Sequence, residues 1–278
     1  MSYASDPQIG KTHHLANRSR IESEIEKSAT SKNDDMLDHR ITLAFALLFA
    51  GTAAAARPAE ITTSTPAPSR PNATTTVSGI ALDAPWKIKL YAFARAHFKH
   101  PAWGWQHSER NYRLATGFAK DDGLAIDPDV VFAAAMLHDM AAFAPWNVDT
   151  KTEHGDIAAE ASGAVLRDVG FPMEKLAHVQ AAERGHMFYS VATEPEAIVL
   201  HDADSVDFLG YMGATRMIAL TGESAGDVEA ALVSLRSFVS AIPPKLITKS
   251  AKRLGAERAA ETKLLLDRLD AESYGGLR

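Results

Sequence analysis

Helix start and stop signals divide the sequence from Asp83 onward into segments of helical length. In "IDPDVVFAAAMLHDM", Asp127 suits the N-cap and Pro128 the first helical position, and Gly170 closes the amphipathic segment "HGDIAAEASGAVLRDVGFP". Apolar residues recur at helical spacing between such signals, and no segment shows the sustained alternation of a half-buried strand. The sequence therefore predicts an all-α fold, a bundle of helices.

The composition is that of a globular protein and excludes several kinds of site. Hydrophobic residues make up 46% of the 278 residues and charged residues 23%, so the chain can bury a substantial core. The formal net charge of −6 argues against a nucleic-acid polymer as the main partner. The absence of cysteine excludes disulfides, cysteine-ligated zinc and cysteine nucleophiles.

The first part of the chain differs from the rest. Residues 1–35 are polar and mixed in charge, whereas residues 36–56 place a positive flank before a short apolar run and an Ala-x-Ala pattern. That order is typical of a secretory signal peptide, and the run is shorter than the roughly 20 apolar residues of a stable membrane span. Met36 is then the expected true start, and residues 1–35 an over-extended gene start. The alternative is a lone buried or membrane-lying helix.

These segments give the expected domain organisation and localisation. Residues 57–82 are rich in proline, threonine, serine and alanine, which predicts a flexible linker before a folded domain at residues 83–275. The protein is expected to be exported, to the periplasm. If the signal-like segment is not used, the expected location is the cytoplasm.

Histidine and aspartate residues fall near the ends of successive predicted helices, at His107, at the adjacent pair His138 and Asp139, and at Asp202. The pair alone has an ordinary alternative, a buried histidine beside a capping aspartate. Adjacent helical residues diverge by about 100°, so the pair cannot share a helix face but can straddle one ion. Nitrogen and oxygen ligands together suit Mn²⁺, Fe²⁺, Co²⁺, Ni²⁺ or Mg²⁺, and such a set leaves positions for water and substrate.

The segments that carry these residues resemble the HD-domain metal-dependent phosphohydrolases. The order histidine, His-Asp, aspartate stands in "HSERNYRLA", "AAMLHDM" and "AIVLHDADSVDFLG", and an arginine, Arg216, follows. The likeness is greatest to the small bacterial members and covers roughly residues 85–275. It implies an HD-domain helical bundle that hydrolyses a nucleotide or another small phosphate ester by means of a metal-activated water.

The resemblance also assigns roles to single residues. It implies that His107, His138, Asp139 and Asp202 are the metal ligands, with Asp202 preferred to Asp204 because it is the first aspartate of its triplet. Asp139 is expected to be catalytic as well, as the group that orients the attacking water. Further residues are expected around them: Arg110, Lys151 and Arg216 at the substrate, and Asp204, Asp207 and Glu153 behind the ligands. The alternative for Arg110 is an ion pair with an acidic helix face.

His154 and His186 leave three possibilities open: a second metal ion, contact with the substrate, or a structural role. One ion is expected, because the flanking residues look most like the small one-metal members and the later double histidine of the two-metal relatives is absent. The segment after the His-Asp pair also lacks their Gly-Lys, which argues against cleavage of cyclic dinucleotides. Two other functions stay open: a di-iron oxygenase on the same scaffold, and a non-enzymatic helical module that binds a metal.

Overall fold

The computed structural model describes residues 75–147, 151–223 and 228–274. Within these ranges the chain is helical and contains no strand, apart from an isolated bridge between Thr75 and Ala81. The all-α prediction is confirmed. None of the helices in these ranges is long and apolar enough to cross a membrane. The predicted polar extension, the signal-like segment and most of the predicted linker lie outside the described residues.

The described ranges contain nine α-helices, which are numbered here in chain order. They are α1 (Pro85–His97), α2 (Trp105–Asp122), α3 (Pro128–Leu137), α4 (His154–Val169), α5 (Leu176–Gly185), α6 (Pro195–Asp207), α7 (Gly210–Glu223), α8 (Val228–Ala241) and α9 (Lys249–Glu272). Short 3₁₀ helices are formed by Met140–Ala142, Met173–Lys175 and Pro243–Lys245.

Local signals fix the helix ends, and those at Asp127, Pro128 and Gly170 are the ones that the sequence predicts. The Asp127 side chain accepts a hydrogen bond from the backbone N–H of Asp129, and Pro128 stands at the start of α3. Gly123 and Gly170 end α2 and α4 in the left-handed conformation, with φ of 68° and 86°. A side chain is strained at such a φ, so glycine stops both helices at low cost.

Helix α3 lies at the centre of the fold. It packs against α1, α2, α4, α5 and α6, and every residue from Val130 to Leu137 is buried. A helix that is covered on all sides must be apolar all round, which explains the run "VVFAAAML". Its C-terminal end therefore delivers His138 and Asp139 into the interior, next to α2 and α6, which pack closely along each other.

Candidate metal centre

His107 and His138 turn the same ring nitrogen toward each other. His107 lies in the first turn of α2 and His138 directly follows α3, and their Nε2 atoms are 3.3 Å apart. His107 Nδ1 is 2.8 Å from Asp207 Oδ2, and His138 Nδ1 donates to the carbonyl of Ala135 at 2.9 Å. A carbonyl or carboxylate oxygen accepts, so Nδ1 carries the proton in both rings and each Nε2 presents a lone pair.

His154 and His186 form a second pair of the same kind. His154 begins α4 and His186 follows α5, and their Nε2 atoms are 2.9 Å apart. His154 Nδ1 lies 2.6 Å from Glu153 Oε1, and His186 Nδ1 donates to the carbonyl of Glu183 at 2.5 Å. The hydroxyl of Tyr189 donates in turn to Glu153. These contacts leave both Nε2 atoms as acceptors directed at each other.

The carboxylate of Asp139 lies between the two histidine pairs. Its Oδ2 is 3.3 Å from His138 Nε2 and 3.5 Å from His107 Nε2. Its Oδ1 is 3.8 Å from the Nε2 atoms of both His154 and His186. His107, His138 and Asp139 thus form one group with ligand atoms within 4.8 Å of one another, and Asp139, His154 and His186 form another.

Asp204 completes the first group. Its Oδ1 lies 3.0 Å from His107 Nε2 and 3.8 Å from His138 Nε2, and its side chain is buried. It stands on α6, the helix that packs along α2. The expectation that an aspartate of α6 joins the two histidines and Asp139 therefore applies to Asp204, which the sequence analysis assigned a supporting role.

The structure corrects the preference for Asp202. The Asp202 carboxylate accepts hydrogen bonds from the backbone N–H groups of Ile247 and Thr248, at 2.9 and 2.7 Å, just before α9. Its neighbour His201, whose Nδ1 is 3.1 Å from Asp202 Oδ1, lies on that side as well. Residues two apart on a helix point about 200° apart, so Asp202 and Asp204 cannot face the same group.

Asp207 lies behind His107, on the side away from the facing Nε2 atoms. It is fully buried and accepts from Arg110 Nη2 at 2.9 Å and from Arg216 Nη1 at 2.8 Å. Burial alone would raise the pKa of Asp207, but Arg216, His107 and Arg110 hold it well below its ordinary value. The carboxylate therefore stays charged and keeps His107 in the tautomer that frees Nε2.

The arginines differ in what they can reach. Arg216 is buried, donates to the carbonyls of Ala102 and Asp207, and lies over the ring of Trp103, so the structure does not bring it to an open surface as its predicted substrate role requires. The side chain of Arg110 is 29% exposed. Its alternative, an ion pair, is present with Asp207, and it also borders a cavity.

This cavity has a volume of about 500 Å³ and opens beside the first histidine group. Its wall contains two basic side chains, those of Lys99 and Arg110, next to His107. Lys151 lies exposed before α4 and is not in this wall. The lining residues are Lys99, His100, Pro101, Gly104, Trp105, Gln106, His107 and Arg110.

The two groups bring imidazole Nε2 lone pairs face to face. Lone pairs 2.9 to 3.3 Å apart in a buried site repel each other unless a positive charge lies between them. Burial and the charge of Arg216 oppose a proton on His107, yet Asp139, Asp204 and Asp207 outweigh them and raise its pKa to about 9. Burial, His154 and His138 lower the pKa of His186 to about 4. The donor set fits a divalent cation, and nitrogen with carboxylate oxygen favours a transition metal or magnesium.

Sequence reasoning missed Asn111, which the structure brings into the first group. Its side chain is fully buried, and its Nδ2 lies 3.1 Å from His107 Nε2 and 3.1 Å from Asp204 Oδ1. The available signal is its spacing, four residues after His107, which puts both on one helix face.

Comparisons with known proteins find similarity over the part of the chain that carries both groups. Residues 104–209 match the family model of the HD domain, and both groups lie within that range. YpgQ of Bacillus subtilis in complex with ADP superposes with a TM-score of 0.53 at 20% identity, covering 69% of this chain and 100% of that chain. A Lactobacillus plantarum protein gives a TM-score of 0.53 at 20% identity, with 67% and 96% of the two chains covered.

A third structure, the Lin1889 protein of Listeria innocua, has a TM-score of 0.51 at 18% identity and covers 67% of this chain and 94% of its own. No curated protein gave a match. At these identities the likeness is one of fold.

Exchange of the two aspartates of α6 tests their roles. Asp204→Asn is expected to weaken Mn²⁺ binding by at least about 100-fold, because the first group loses a charged ligand. Asp202→Asn is the matched control and should leave the Mn²⁺ affinity within about twofold. It should lower the free energy of unfolding by about 1–2 kcal/mol, since two backbone N–H groups lose a charged acceptor. Calorimetric titration and thermal unfolding measure both, and the reverse pattern would restore Asp202 as the ligand.

Proposed function

We propose that the protein is a metal-dependent phosphohydrolase acting on a nucleotide or another small phosphate ester, a proposal supported by the match of residues 104–209 to the HD-domain model. The observation that carries the proposal is the convergence of four imidazole Nε2 atoms on the carboxylate of Asp139. Such a buried set of nitrogen and oxygen acceptors is suited to hold cations, and the match of these residues to the HD-domain model supports a hydrolase.

The residues that would hold the first cation are His107, His138, Asp139 and Asp204. Their nitrogen and oxygen atoms suit Mn²⁺, Fe²⁺, Co²⁺, Ni²⁺ or Mg²⁺, and manganese is the ion we propose to test first. When bound, a divalent cation lowers the pKa of water toward neutrality and polarises a phosphoryl oxygen.

The chain's own residues would orient the reaction. Burial would raise the pKa of Asp139, but His138 and His107 hold it well below its ordinary value, so the carboxylate stays available as a hydrogen-bond acceptor for an attacking water. Asp207 keeps the His107 ring in place through Nδ1. Arg110 and Lys99, at the wall of the cavity, would bind phosphate oxygens.

The cavity supports a small anionic substrate. Its volume of about 500 Å³ lies within the range of small-molecule sites. Its two basic residues would attract the negative charge of a phosphate group. YpgQ, which shares the fold, was crystallised with ADP, and this makes a nucleotide our first candidate.

Hydrolysis of p-nitrophenyl phosphate and of a nucleotide panel, with Mn²⁺ or Ni²⁺ added, tests the proposal. The full chain should release phosphate, and Asp139→Ala should abolish both release and most metal binding. Arg110→Gln should raise KM by about tenfold or more at unchanged metal content, because it removes contacts to phosphate and no metal ligand. Arg113→Gln, on the same helix but bonded to Ser78, is the control and should change neither value. Metal binding without phosphate release from any substrate would contradict the proposal.

The second histidine pair supports two ions. Asp139 offers Oδ2 to one pair and Oδ1 to the other, which suits a carboxylate shared between two cations. We therefore propose a two-ion centre, although the flanking sequence favours a single ion.

Metal content decides between one ion and two. The loaded wild-type chain is expected to hold about two Mn²⁺ ions, and His154→Ala and His186→Ala should each hold about one, as measured by elemental analysis after removal of free metal. His178→Ala, an exposed histidine bonded to Glu194, is the matched control. A wild-type content near one that neither substitution lowers, with a reduced rate, would support the single ion.

The same pairs leave two other functions to test. A di-iron oxygenase requires iron at both pairs, and the nitrogen-rich surroundings of Asp139 are compatible with iron. Iron in the purified protein, together with oxygen uptake, would favour that chemistry over hydrolysis. Bound metal with neither activity would favour a non-enzymatic metal-binding module.

We also propose that the protein is exported. The proposal is supported by the sequence of residues 36–56, which lie outside the described residues. Mass spectrometry of the mature protein is expected to find an N-terminus within a few residues of Ala56. Leu47→Arg, which interrupts the apolar run, should abolish this cleavage. An uncleaved N-terminus on cytoplasmic protein would contradict export.

A further inference from the structure

Asn111 touches three members of the first group. It lies on α2 one turn after His107 and is fully buried. Its Nδ2 atom is 3.1 Å from His107 Nε2, 3.4 Å from His138 Nε2 and 3.1 Å from Asp204 Oδ1. At these distances the terminal atom of the amide lies beside the ligand atoms of the first group, where a further ligand of the same cation would lie.

The other end of the amide is unsatisfied. Asn111 Oδ1 is buried and has no hydrogen-bond partner among the described residues. A buried acceptor without a partner costs about 1–3 kcal/mol, and native structures contain few of them. The side chain therefore has a reason to place its oxygen elsewhere.

A half-turn of the amide gives this oxygen a partner when a cation is present, and the NH2 group takes its former place. The last torsion of asparagine is broad and roughly two-fold, and the amide keeps its shape when oxygen and nitrogen exchange places. With a cation among His107, His138 and Asp204, the N–H groups of the amide would face a positive charge and be repelled. The carbonyl oxygen would instead face it with a lone pair.

We propose that the carboxamide oxygen of Asn111 is a further ligand of the cation held by His107, His138, Asp139 and Asp204. This inference rests on the metal centre of the proposed function. A neutral oxygen adds coordination without adding charge. Magnesium and manganese accept such oxygens and six ligands, whereas zinc prefers four. Asn111 thus shifts the preference of the centre away from zinc.

Substitutions of matched size test the ligand. Asn111→Leu has nearly the same shape but no donor or acceptor, and Asn111→Ala removes the amide with less risk of crowding. Both are expected to weaken Mn²⁺ binding by about tenfold or more, as measured by calorimetric titration of the full chain without substrate. Both should also add one Mn²⁺-bound water per chain at saturation, as measured by ¹⁷O relaxation of water. Asn111→Asp keeps an oxygen and should bind Mn²⁺ at least as tightly as the wild type.

A measurement on the wild type keeps the test open if these variants do not fold. Protein labelled with ¹³C at the asparagine carboxamide should show a ¹³C hyperfine coupling to bound Mn²⁺ in electron–nuclear double resonance. An absent coupling, or Mn²⁺ affinity and water number unchanged in Asn111→Leu and Asn111→Ala, would overturn the inference and leave Asn111 as a donor to Asp204.

Failure of the proposed function gives a different result. A wild type that binds Mn²⁺ with the ¹³C coupling but hydrolyses no phosphate ester supports Asn111 as a ligand and contradicts the phosphohydrolase. A wild type that binds no Mn²⁺ overturns both.

Discussion

The structure buries many hydrogen-bond acceptors at one point, and their mutual repulsion has to be offset there. Four histidine Nε2 atoms and the carboxylates of Asp139 and Asp204 converge where water is largely excluded. Repulsion among lone pairs and negative charges is strong in a low dielectric, and a positive charge between them converts it into attraction. The same carboxylates that raise the pKa of His107 to about 9 would attract a cation. This arrangement of buried acceptors is therefore suited to hold a cation.

Each part of the bundle serves to hold these acceptors in place. Helix α3 is apolar on every side, so packing alone fixes the position of the His138–Asp139 step at its end. The histidines are held at their other nitrogen, by a backbone carbonyl for His138 and His186 and by a carboxylate for His107 and His154. Such contacts set both the ring orientation and the tautomer, which the packing of an imidazole alone would leave free.

The sequence predicts what depends on short spacings. Caps and periodicity give the helices, and the adjacency of His138 and Asp139 indicates a step that can straddle an ion. The choice between Asp202 and Asp204 depends on which face of α6 meets α2, a tertiary relation that a triplet of alternating aspartates does not contain. The position of Asp207 contains the missing information. It lies three residues after Asp204, so Asp204 and Asp207 share one face of α6, and Asp202 does not lie on that face. The burial of Arg216 and the contacts of Asn111 also depend on packing between helices distant in sequence.

The proposed role of Arg110 at the substrate has to be compatible with its place in the buried network behind His107. It pairs with Asp207 and also borders the cavity, two tasks that compete for one guanidinium. Removing the sole partner of a buried carboxylate would cost several kcal/mol. Asp207, however, is held independently by Arg216, which is buried, and by the His107 ring. Under the proposed function, Arg110 would therefore turn from Asp207 to a phosphate while the support behind His107 stays charged and in place.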